Sequence, residues 1–200
     1  MDCFAYFPSL IYREELTHWV DITSSACIKH YKSASDALSI SDYPNSCVIQ
    51  TYNVFNDPEL GFLVDYFYKQ SFAILENQGF DLNQYKFFIS GMWAQELKNG
   101  GSHRTHVHHD SQISGFYFLE TPDKGSYPIF HDPRPGKLSS SLNYVHSEHI
   151  TQATQDIHFN NVNPGTFMFF NSWIPHSLSN NTSTQSTKFL HFTLSHNRII

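Results

Sequence analysis

The sequence predicts a mainly β domain with flanking helices, built as a sandwich or jelly roll. Three observations carry this. The hydrophobic pattern switches from helical to strand-like near Tyr85. Beyond Tyr85 the strand candidates are short, turn-bounded and never alternate with helices, which argues against a parallel α/β sheet. The 18 Phe and 11 Tyr of the 200 residues suit a β-rich interior. That length supports one domain with a real core, and no repeat or linker divides it. The expected layout is a single domain over residues 1–200, with 1–86 a support layer of helix and strand and 87–195 the β core.

The elements follow in order. Residues 4–12 read as an edge strand kept short by Pro8. Residues 13–35 read as one or two helices, with Leu16, Trp19, Val20 and Ala26 or Cys27 on one stripe. Residues 35–56 are rich in Ser, Asp, Asn and Pro and read as loop, with a short strand at 47–52. Asp57-Pro58 opens a second helix, Asp at the cap and Pro at the first position. Leu60, Leu63, Val64, Phe67, Phe72, Ile74 and Leu75 keep a stripe that stops before Gly79, as on a helix packed outside a sheet. Residues 85–97 form a long strand, and 98–101 read as a hairpin turn into a histidine-rich strand. Strands follow at 113–119, from 128, at 157–159, at 165–170 and at 188–195. The polar stretch 136–156 is long enough for a functional loop over the site.

Composition narrows the function. A net charge of −6 and a pI near 6.1 disfavour a nucleic-acid backbone as partner. Cys3, Cys27 and Cys47 are odd in number and form no CxxC, which points to reduced intracellular thiols rather than disulfides or structural zinc. The N-terminus lacks the basic and apolar regions of a secretory signal, and no segment approaches the roughly 18 apolar residues of a membrane span. The expected location is cytoplasmic, with no membrane partner.

The chemistry lies in Thr105-His-Val-His-His-Asp110. In an extended strand His106, His108 and Asp110 share one face, and Val107 and His109 the other. Two imidazoles and a carboxylate in period-two register are a metal half-site awaiting a distant ligand. A second stretch, residues 163–176, ends a buried strand in a turn that delivers His176. Twelve residues on, Lys188 opens an apolar strand, placed either to snorkel or to pair with an anion inside the fold. Arg134, in a proline-rich loop, suits either a carboxylate ligand or a local salt bridge.

In this order the pieces resemble the 2-oxoglutarate/Fe(II)-dependent oxygenases, in particular a branch found in bacteria and their viruses. The resemblance rests on Trp93, Gly100-Gly101, His103, His106, His108, Ser114-Gly115, Tyr117, Asp132-Pro133-Arg134, Pro164-Gly165, Ser172-Trp173 and His176. It covers roughly residues 87–195. It implies a double-stranded β-helix, a cupin-like jelly roll, with Fe(II), 2-oxoglutarate as cosubstrate and O2. The implied activity is that of a dioxygenase hydroxylating an unactivated C–H bond of a small-molecule or peptidyl substrate. His108 and His176 serve as metal ligands in either alignment. The third is His106 by the nearer branch, or Asp110 by the wider superfamily. Three imidazoles leave the site at +2 and favour an anionic cosubstrate more than a carboxylate would. Lys188 stands where the branch has an arginine and is the expected holder of the far carboxylate of 2-oxoglutarate, with Arg134 a second cosubstrate or substrate ligand. Phe116, Phe118, Phe167, Phe169 and Trp173 are expected pocket walls. The competing readings are a cupin-like metal protein that does not use 2-oxoglutarate, and a non-catalytic jelly-roll binding or structural module.

Overall fold

The structure is a computed structural model describing residues 2, 7–136, 141–143, 145 and 149–199. Among these the elements are β1 (Ile11–Glu15), α1 (Val20–Ser39), β2 (Val48–Gln50), α2 (Gly61–Asn77), β3 (Tyr85–Leu97), β4 (His103–His106), β5 (Ile113–Glu120), β6 (Pro128–His131), β7 (Asp156–His158), β8 (Thr166–Asn171), β9 (His176–Leu178) and β10 (Thr187–Arg198). A six-stranded sheet runs β1-β8-β5-β10-β3-β2 and a four-stranded sheet β4-β9-β6-β7. Every pairing is antiparallel. Strands β3 to β10 thus form the eight-stranded double-stranded β-helix, and β1 and β2 extend the major sheet at its two edges.

Alternation along β10 shows how the layers are built. Leu190, Phe192 and Leu194 face the helices, in a core with Ala26, Leu63, Phe67 and Leu75. Phe189 faces the other sheet, in a core with Phe116, Phe118, Phe130, Phe170 and Leu178. Both faces of the strand are buried, yet from Leu190 to Ser195 apolar and polar residues alternate, with His191, Thr193 and Ser195 on the side away from the helices. The tightest helix contact is at Gly115: a Cβ there would lie 2.7 Å from both the Phe67 ring and the Met168 carbonyl oxygen. Glycine is what lets Phe67 of α2 sit flat on the sheet. Phe67 is fully buried and stacks on Phe192 and Phe169, with ring centroids 4.8 and 5.6 Å away.

Several expectations shift. Arg13 to Glu15 belong to β1 rather than to a helix. Their polar side chains serve the β8 edge: Arg13 donates to Asn161 Oδ1 at 2.8 Å, and Thr166 Oγ1 donates to Glu15 at 2.9 Å. The edge strand expected at 4–12 therefore starts later, and part of that stretch lies outside the described residues. So do 137–140, 144 and 146–148 of the loop expected over the site. Residues 98–101 do not close a hairpin. The β3 strand pairs with β10 and β2, whereas β4 pairs with β9 in the other sheet. The turn is a crossing between sheets, which local turn chemistry cannot distinguish from a hairpin.

The predicted cap is present, but it caps a 3-10 turn at Pro58–Leu60 that leads into α2 rather than α2 itself. Asp57 accepts from the Glu59 backbone N–H at 3.0 Å, with Pro58 following. Its carboxylate also meets Lys29 Nζ at 2.7 Å and His30 Nε2 at 2.6 Å, clasping α1 to the start of α2. The Lys29 hydrogen bond is the main cause that lowers the Asp57 pKa to about 2. A depressed carboxylate contributes stability that is full above its unfolded pKa of about 4 and lost as pH falls toward 2. Asp57→Asn should therefore lower the denaturation midpoint at pH 6, and the deficit should shrink when both proteins are unfolded near pH 2.5. An equal deficit at both pH values would contradict the clasp.

Two cysteines of the described residues, buried Cys27 and exposed Cys47, are free. Burial pushes the Cys27 thiol up to about 12, so it stays protonated and packs as a small hydrophobe. Among the described residues no helix is long and apolar enough to cross a membrane.

Candidate metal centre and cosubstrate cavity

The end of β4 and the start of β9 lie side by side, with His106 paired to His176. His108 follows two residues beyond β4, where the chain has left the ladder. Its backbone N–H donates to Ser172 O at 3.1 Å, and Ser172 N–H donates to Gln112 O at 3.0 Å. Ser114 and Ser172 hydroxyls hydrogen-bond at 2.8 Å. The Ser114-Gly115 and Ser172-Trp173 motifs thus brace the histidine segment against the end of β8.

The result is a cluster in which one ligand atom each from His106, His108 and His176 lies within 4.8 Å of the others. His106 Nδ1 pairs with the Arg104 carbonyl at 2.7 Å and His176 Nδ1 with the Ile174 carbonyl at 2.9 Å. A carbonyl accepts only, so each Nδ1 carries the proton and each Nε2 lone pair is left for a metal. Burial pulls the His176 pKa down to about 3 and that of His108 to about 4. Both are neutral at pH 7, the form that ligates. The Nε2 atoms of His108 and His176 are buried without a partner. Unpartnered buried nitrogens are costly, and a divalent metal would satisfy both. The donor set fits Fe(II), since imidazole suits iron and three ligands on one side leave positions open.

From outside, the minor sheet steadies β9. The Ser177 hydroxyl pairs with His131 Nε2 at 2.9 Å, and His131 Nδ1 with Asp156 at 2.6 Å. Inside, Phe116, Phe130 and Phe170 surround His176, with ring centroids between 4.7 and 6.2 Å from it.

Not every expected site residue joins this centre. Asp110 is exposed, in a turn with φ 59°, and is not part of the cluster. The left-handed residue ends the alternation that would have kept it beside His106 and His108. Lys188 lies on the wrong face. It shares the helix-facing side of β10 with Leu190, contacts Glu120 at 3.1 Å and sits 5.7 Å above the Tyr31 ring of α1. A surface groove of about 460 Å³ lines that side, with the sheet between it and the histidines. Lys188 is therefore not placed to hold a cosubstrate beside them. Arg134 is about half exposed and makes a two-pronged contact with Asp132 at 2.9 and 2.6 Å, the local salt bridge of the two readings. Among the expected walls only Phe116 lines the inner cavity. Phe167 and Phe169 pack toward the helices, Phe118 lies between the sheets, and Trp173 is 52% exposed.

The inner cavity, about 170 Å³, is lined by His106 and His108 together with Gln50, Trp93, Gln95, His103, Phe116, Leu178 and His191. It adjoins the metal cluster, as a cosubstrate that chelates the metal requires. His191 is the residue that sequence reasoning passed over. It points inward from β10 with ring centroids 4.5 Å from His108, 4.8 Å from Phe116 and 4.8 Å from Trp93. Gly91 makes room for the Trp93 ring, because a Cβ there would fall 2.3 Å from it. The available signal was alternation: His191, Thr193 and Ser195 form a polar row between Leu190, Phe192 and Leu194, and Lys188, an odd number of residues from His191, cannot share its face of a regular strand.

The eight-stranded double-stranded β-helix with a histidine cluster at one end of its inter-sheet space defines the class. Residues 91–190, half of the chain, match the family described as "Putative 2OG-Fe(II) oxygenase". The chain belongs to this family of 2-oxoglutarate/Fe(II)-dependent dioxygenases, which use Fe(II), 2-oxoglutarate and O2. Solved structures are similar in fold. A Pseudomonas putida prolyl-4-hydroxylase has a TM-score of 0.58 at 11% identity, covering 94% of this chain and 92% of that one. The viral collagen prolyl hydroxylase of Paramecium Bursaria Chlorella virus-1, in a 2OG complex, has a TM-score of 0.54 at 13% identity, covering 95% and 96%. A Trichoplax adhaerens prolyl hydroxylase, in complex with a hypoxia inducible factor peptide fragment, has a TM-score of 0.56 at 9% identity, covering 92% and 82%. No curated protein matches the sequence.

Proposed function

We propose that His106, His108 and His176 hold Fe(II) and that the enzyme hydroxylates a peptidyl substrate. The observation that carries the metal assignment is the convergence of the three imidazoles, with ligand atoms within 4.8 Å of one another. Bound there, Fe(II) with O2 and 2-oxoglutarate supplies the oxidation of a C–H bond, with succinate and CO2 as by-products. The chain's own residues do the rest. Arg104 and Ile174 carbonyls fix the tautomers of His106 and His176. Phe116, Phe130 and Phe170 keep water from the inner side of His176. The cavity beside His108 receives the cosubstrate.

The peptidyl class is supported by the three similar structures above, which are prolyl hydroxylases, one with a peptide bound. The free thiols of Cys27 and Cys47 support a reducing, cytoplasmic setting. Iron-loaded protein supplied with 2-oxoglutarate in air should release succinate, and a panel of proline-containing peptides should raise the rate for at least one member. Stimulation only by small metabolites would refute the peptidyl class. No succinate under any condition would refute the oxygenase reading of the site.

A further inference from the structure

We infer that the far carboxylate of 2-oxoglutarate is held by N–H donors on the cavity floor, His191 and Trp93, rather than by a lysine or arginine. This rests on the proposed function of the site. Three observations support it. Among the described residues, no Lys or Arg lines the cavity beside His106 and His108. Lys188 is engaged on the opposite face of the sheet by Glu120 and Tyr31. In and beside the cavity, more buried nitrogens are unpartnered than belong to the His106, His108 and His176 group. His108 and His176 Nε2 are accounted for by iron, but His191 Nε2, Trp93 Nε1 and His103 Nε2 are left over.

The leftover nitrogens share a place. His191 and Trp93 are direct cross-strand partners on β10 and β3, and both point inward from the major sheet. His103 lines the same cavity from β4. An indole has only a donor to offer, so Trp93 Nε1 requires an acceptor. An imidazole offers one donor in either tautomer. The ligand that answers several convergent donors beside a divalent metal is an anion with several acceptor oxygens, as a carboxylate is. His191 also lies next to His108 and farther from His176, with ring centroids 4.5 and 6.1 Å away. A cosubstrate chelating the metal would therefore extend past His108 toward the floor.

The test is anaerobic titration of Fe(II)-loaded protein with 2-oxoglutarate and with 2-oxopentanoate, which has the same chain without the far carboxylate. Binding is read by calorimetry, and iron content is measured alongside. Wild type should prefer 2-oxoglutarate by about 10-fold or more, the worth of hydrogen bonds to a charged group. His191→Leu and Trp93→Phe should each lose most of that preference while still holding iron, and His191→Gln, which keeps an N–H donor, should retain part of it. Lys188→Ala should bind 2-oxoglutarate like wild type. The inference is overturned if the Leu and Phe variants keep the preference, or if Lys188→Ala abolishes it. If wild type binds 2-oxoacids through the metal with no preference, the floor has no anchoring role. If wild type binds neither, the parent reading of the site fails as well.

Discussion

Iron affinity is expected to fall by at least about 100-fold in His176→Ala and in His106→Ala, and to stay within about twofold of wild type in Asp110→Ala. Loss of a residue that merely orients a metal ligand costs about 10- to 100-fold, and loss of a ligand should cost no less. His176 is the only one of the three supplied by β9, so without it two ligands from one short segment remain. Asp110 turns away from the cluster at its left-handed φ, so its carboxylate can be removed without touching the site. Metal content after anaerobic loading and desalting checks this. Iron lost from Asp110→Ala but retained by His106→Ala would restore the carboxylate-containing triad.

The largest stability effect is expected at Phe67. Truncating a buried Phe to Ala costs about 3–5 kcal/mol, a large share of the roughly 5–15 kcal/mol of a typical domain. Phe67 stands at the high end because its ring stacks on Phe169 and Phe192 and fits against Gly115. The sheet beneath is fixed by hydrogen bonds along both edges of β5 and β10, which limits collapse into the space. Urea unfolding of Phe67→Ala should show a lower midpoint with an unchanged slope. A loss below about 1 kcal/mol would mean that α2 does not anchor the sheet in this way.

These two sites show what the sequence could reveal. The helix cap at Asp57, the stripe carrying Phe67 and the strand 85–97 were legible because each is a local pattern with a matching period. His108 and His176 were legible as partners in either alignment, through residue types and order, whereas the choice between His106 and Asp110 as their neighbour was left open. Less legible was anything decided by facing. Strand β10 is buried on both sides, so Lys188 read as an interior cation while His191 was passed over. Asp110 fitted the period-two row until a backbone turn removed it. The 98–101 turn carried hairpin residues, yet its two strands belong to different sheets. In each case a tertiary choice between faces or partners overrode a local signal that was neutral between them.

The central claim is that three histidines form an iron site that accepts 2-oxoglutarate as a chelate. It is tested most directly by anaerobic titration of the wild-type protein with Fe(II), with and without 2-oxoglutarate, followed by visible absorption. The predicted result is a metal-to-ligand charge-transfer band that appears only when both are present, saturates near one iron per chain, and is absent from His106→Ala. A wild-type protein that binds iron without developing the band, or a band that persists unchanged in His106→Ala, would contradict it.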